Sequence, residues 1–121
     1  MNTERIQHLL DELRHAVLDR RGVTALSVRQ AALADAARTA GVSIGAVGTL
    51  PPDLAAYVAT VARHAYRVTD AQVAALLAAG HSEDVVFEVT VSAALGAGLA
   101  RWERGLAALE GANDAAQALG A

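Results

Sequence analysis

A chain of 121 residues that is 54% hydrophobic with a formal net charge of -3 suits one small folded core, and its ten arginines form no block able to neutralise a phosphate backbone, so nucleic acid is not an expected partner. The absence of cysteine excludes disulfides, thiolate metal sites and peroxidatic thiols, and the absence of lysine excludes Schiff-base chemistry. No apolar leader follows Met1 and no run approaches the ~20 apolar residues of a membrane span, so the expectation is a cytoplasmic protein without membrane contact.

Thr3 and Glu4 have the form of a capped helix start, after which Ile6, Leu9, Leu10, Leu13 and Val17 recur at helical spacing as far as Gly22. A second helix is predicted from Ser27 to Ala40 on Val28, Ala31, Leu33 and Ala37, with Gly41 as its stop. Val42 to Leu50 lacks the phosphate-loop pattern and reads as a linker. Pro51, Pro52 and Asp53 then open a third helix that runs to about Arg67. Thr69 and Gln72 fit a capping box for a fourth helix ending at Gly80, and Ser82, Glu83 and Asp84 open a fifth. Within that fifth segment Val85, Phe87, Val89 and Val91 alternate with other residues as in a half-buried strand. No second strand candidate exists to pair with it, so helix is the expectation. Gly96, Gly98 and Gly105 are expected as close-packing positions, and residues 111–121 as a frayed, flexible tail.

The fold class is therefore all-α: a single helical domain over residues 1–110, divided into an N-terminal part, 1–41, and a core, 50–110. Alanine dominates, and the aromatic residues are only Tyr57, Tyr66, Phe87 and Trp102. Side chains this small give little bulk, so the helices must approach closely or borrow surface from a second copy, and a homo-oligomer is expected.

The run from Leu50 to Leu109, about half the chain, resembles the carboxymuconolactone decarboxylase and alkylhydroperoxidase D-like family, chiefly in VARHAYRVTDAQVAALLAAGHSEDVVFEVT and AALGAGLARWERGLAAL. The resemblance implies an all-helical fold assembled as a trimer or hexamer. Redox members carry a C-x-x-C-x-x-x-H motif. With Gly80 aligned to the glycine that ends the motif helix, the cysteine positions fall on Ala65 and Val68 and the histidine position on Gln72. Thiol peroxidase chemistry is thereby removed, since neither alanine nor valine supplies a thiolate. The resemblance also puts Asp53 near a carboxylate that joins the family's proton relay.

Asp53, Tyr57, Thr60, His64 and Arg67 follow steps of four and three, a stripe ~80° wide on one helix face. Arg67 can hold a carboxylate while His64 moves a proton with Tyr57 assisting, or the stripe is a solvated face with cations in its last turn. Gln72 can position a substrate or serve only as a cap. His81, Asp84, Glu88 and Ser92 form a second polar stripe too sparse for a zinc site, and burial beside Phe87 and Val89 is expected to raise the pKa of Glu88. His8 and His15 lack the pairing a metal needs, and Trp102 reads as a packing anchor. No cofactor and no metal are expected. Two functions fit: a non-redox lyase or isomerase of a small carboxylated metabolite, with His64, Tyr57 and Asp53 catalytic and Arg67 and Gln72 binding substrate, or a non-catalytic oligomer that binds a ligand or partner.

Overall fold

The structure is a computed structural model that describes residues 2–44 and 48–120. Part of the expected linker thus lies outside the described residues. Five α-helices follow one another: α1 (Thr3–Leu18), α2 (Leu26–Thr39), α3 (Pro52–His64), α4 (Asp70–Ala78) and α5 (Glu83–Gly120), with a 3-10 turn, Ala65–Arg67, after α3. The all-α expectation holds at this level, with no strand among the described residues.

Local chemistry sets most of the boundaries. The α1 cap is Asn2, whose side chain accepts from the Arg5 N–H at 3.0 Å, one residue ahead of the expected Thr3. Gly41 and Gly80 end α2 and α4 at φ +100° and +103°. In both places the following N–H reaches back to close a Schellman motif, Val42 to the Ala37 carbonyl at 2.9 Å and His81 to that of Leu76 at 3.2 Å. The capping box on α4 is present in full: Gln72 N–H donates to Thr69 Oγ1 at 3.2 Å, and Thr69 N–H donates to Gln72 Oε1 at 3.1 Å. Ser82 Oγ likewise accepts from the Val85 N–H at 3.2 Å at the start of α5.

The core is the crossing of α2 on α5, closed by α3. Ala31, Ala32, Ala36 and Ala37 of α2 and Ala93, Ala97 and Ala100 of α5 are buried. Their small side chains bring the backbones together at Gly96, where an added Cβ would lie 2.0 Å from the Leu33 carbonyl oxygen. Leu54, Val58 and Val61 of α3 fill the remaining side with Val86 and Val89. Gly98 and Gly105, expected to pack closely as well, face open space. The strand-like alternation of residues 85–91 resolves into helical phase: Val86, Val89 and Ala93 turn inward at steps of three and four, and Phe87 is left 67% exposed.

Two further expectations are corrected at the C-terminal end. Residues 111–120 continue α5 as helix instead of fraying, although every one of them is exposed. With that length α5 is also long and apolar enough to cross a membrane by length and composition, contrary to the expectation that no segment is; half of its most apolar window is buried against the other helices, as in a central core helix.

Candidate functional site

His64 leaves helical geometry at φ -147°, ψ 66°, and the chain turns through Ala65–Arg67 before Thr69 caps α4. This reversal encloses a cavity of about 310 Å³ lined by Ala59, Thr60, Arg63, His64, Arg67 and Gln72. Two guanidinium groups, an imidazole, a hydroxyl and a carboxamide border it, and no carboxylate is among the lining residues. Gln72 spends its Oε1 on the Thr69 N–H, so its Nε2 donors remain for a ligand. Tyr66 touches two of these groups, since the Arg67 guanidinium carbon lies 5.8 Å from its ring centroid and its hydroxyl is 3.5 Å from His64 Nδ1. The result is a small, donor-rich, partly open basin suited to an anion with carboxylate geometry.

Of the stripe read from the sequence, His64, Arg67 and Thr60 reach this basin and Gln72 joins them from α4. Tyr57 and Asp53 do not. Tyr57 is buried, and its hydroxyl lies 2.7 Å from Thr90 Oγ1. Thr90 gives its own hydrogen to the Val86 carbonyl at 2.6 Å, so Tyr57 is the donor of that pair and is committed to joining α3 to α5. Asp53 sits at the opposite end of α3, where Oδ2 is 2.8 Å from His81 Nε2 and Oδ1 accepts from the Leu54 N–H at 2.8 Å. The hydrogen bond from His81 and that backbone N–H hold its pKa below 3.8 against the smaller opposing effect of desolvation. The stripe fails as one site because α5 covers its middle. Arg63, missed in the sequence, belongs to the basin; its signal is the spacing of four to Arg67 in a final helical turn.

The second polar stripe separates into unrelated contacts. His81 goes to Asp53, and the buried Ser92 hydroxyl donates to the Glu88 carbonyl at 2.8 Å. Glu88 accepts from Val23 N–H at 2.8 Å, Thr24 N–H at 3.0 Å and the Thr24 hydroxyl at 2.8 Å. Burial pushes its pKa up, as expected, but these donors with the nearby Arg29 charge outweigh burial and hold it below 4.5, so the expected raised value is corrected. His8 pairs with Glu12 and His15 with Asp19 on the surface of α1. Among the described residues no three His, Asp or Glu side chains gather as metal ligands. No family model, curated protein or solved structure matches this chain.

Proposed function

We propose that this chain binds a small carboxylated metabolite in the basin between α3 and α4, as a cysteine-free relative of the carboxymuconolactone decarboxylase and alkylhydroperoxidase D-like proteins. The observation that carries the reading is the lining itself: Arg63, Arg67, His64 and the free amide donors of Gln72 around a volume of about 310 Å³. Arg63, His64, Arg67 and Gln72 are all exposed, so each ion pair with a bound carboxylate is worth about 0.2–1 kcal/mol, and a second guanidinium favours a dicarboxylate. In support of the family reading, Ala65 and Val68, which take the cysteine positions, flank the turn that shapes the basin, and Gln72, in the histidine position, lines it.

Catalysis is the narrower form of the proposal. With Tyr57 and Asp53 occupied elsewhere, His64 is the one acid or base left in the basin for a lyase or isomerase step. The non-catalytic alternative needs only the binding groups. In either form we read the protein as a cytoplasmic homo-oligomer, trimeric or hexameric, with α5 as its core helix; exposed Leu9, Leu13, Leu77 and Leu109 supply apolar surface for such contacts.

Calorimetric titration with succinate tests the binding step. Saturable binding that weakens ~2–5-fold in Arg67→Gln and again in Arg63→Gln, with unchanged melting temperatures, is expected from the size of an exposed ion pair. Equal affinity in both variants refutes the site. If a carboxylate substrate is found, His64→Asn lowers turnover by ~10²–10⁴ while succinate still binds; unchanged turnover leaves binding as the whole function.

A further inference from the structure

A larger cavity, about 560 Å³, which shares no lining residue with the basin, opens between the end of α1 and the first turns of α5. Its wall is apolar where Val17, Phe87 and Val91 face it, and its margin carries Arg20, Arg21 and Arg29. Against these three arginines stand Asp84 and Glu88, which leaves one net positive charge here in a chain whose formal total is -3. The Glu88 carboxylate is occupied by Val23 and Thr24, and its nearer approach to Arg29 is 4.0 Å.

Arg29 is 7% exposed and gives Nη1 to the Val17 and Arg20 carbonyls at 2.7 Å each. Its Nε is buried with no hydrogen-bond partner. That Nε faces Glu88 Oε1 at 4.0 Å, so the Arg29 charge is balanced inside the protein, and the cations at this margin with no carboxylate partner among the described residues are Arg20 and Arg21. Volume, apolar wall and unspent cationic donors at one end are the features of a pocket for an amphipathic ligand.

We infer that this cavity is a second binding site, distinct from the basin at α3, for a monocarboxylate with an apolar body. The body lies along Phe87, Val91 and Val17, and the carboxylate meets Arg20 and Arg21 at the mouth, with the Arg29 charge behind them. Charge sign distinguishes the site from a simple greasy groove, because a cationic amphiphile of equal length meets the arginine margin unfavourably.

Backbone amide NMR of the full chain, titrated separately with octanoate, octylamine and octanol, tests the inference. Octanoate is expected to shift amides of residues 16–23 and 87–91 saturably and to bind at least ~10-fold tighter than octylamine. In the Arg20→Gln/Arg21→Gln variant octanoate weakens by ~10-fold or more and octanol is unaffected. Ala16→Trp, at an exposed position on the cavity wall, fills the volume and removes binding of both without altering the fold. Absence of octanoate binding, equal affinity for octylamine, or shifts confined to other parts of the chain overturn the inference.

Discussion

Gly96→Ala is the most informative single change to the fold, because propensity and packing push it in opposite directions. Alanine is favoured over glycine within a helix by up to about 1 kcal/mol, which alone predicts a gain. The added Cβ, however, lies 2.0 Å from a backbone oxygen of Leu33, whereas real Cβ contacts are rarely below 3.0 Å. Helices α2 and α5 must therefore part by roughly 1 Å, and a gap of that order forfeits a quarter to a half of each dispersion contact along the alanine seam. Backbone overpacking costs about 1–3 kcal/mol or more, and loosening Ala32, Ala36, Ala93 and Ala97 together puts the net destabilisation at about 2–3 kcal/mol. For a chain of this length that is a fall of roughly 6–15 °C in melting temperature. Gly98→Ala, two residues away in open space, keeps the propensity term alone and should raise the midpoint by roughly 2–5 °C. Thermal melts by circular dichroism separate the two. If Gly96→Ala is as stable as Gly98→Ala, the α2–α5 seam is not as close as described.

Glu88→Gln removes the charge that faces Arg29 and one acceptor of the 22–24 loop, and should cost about 2–4 kcal/mol by denaturant titration; a loss under about 0.5 kcal/mol would show the pair to be incidental. Glu88 and Asp53 both ionise more readily when folded, so each contributes stability that is present above its ordinary value, 4.5 and 3.8, and is lost as pH falls through the lower folded value. Stability measured from pH 6 to pH 2 should therefore decline below about 4.5, with a shallower decline in Glu88→Gln. His81→Ala should bring the Asp53 carboxyl back toward 3.8 in a carbon-detected NMR titration, and an unchanged midpoint would contradict the hydrogen bond. Light scattering on the purified chain should give the mass of three or six copies; a monomer at micromolar concentration rejects the assembly proposal.

The parts of the fold that local chemistry dictates were legible in the residues. Gly41 and Gly80, the Thr69–Gln72 box and the Ser82 start lie where the sequence puts them, because caps depend on neighbours within one turn. Facing was less legible. Tyr57 and His64 share a stripe in a helical projection, yet α5 covers the first and leaves the second open, and no local pattern records where another helix will lie. Gly96, Gly98 and Gly105 read alike as tight-packing positions, and of these only Gly96 meets a neighbour. Arg29 and Glu88 are 59 positions apart, so their burial together could not be found from spacing.

The central claim is that Arg67, His64 and Gln72 converge on a carboxylate. Succinate added to isotopically labelled protein tests it directly through the amide shifts of residues 59–72, recorded for the native chain and for Arg67→Gln. Saturable shifts centred on Arg63, His64 and Gln72 that need a several-fold higher succinate concentration in the variant are predicted. Shifts that persist undiminished in Arg67→Gln, or that never appear in the native chain, would contradict it.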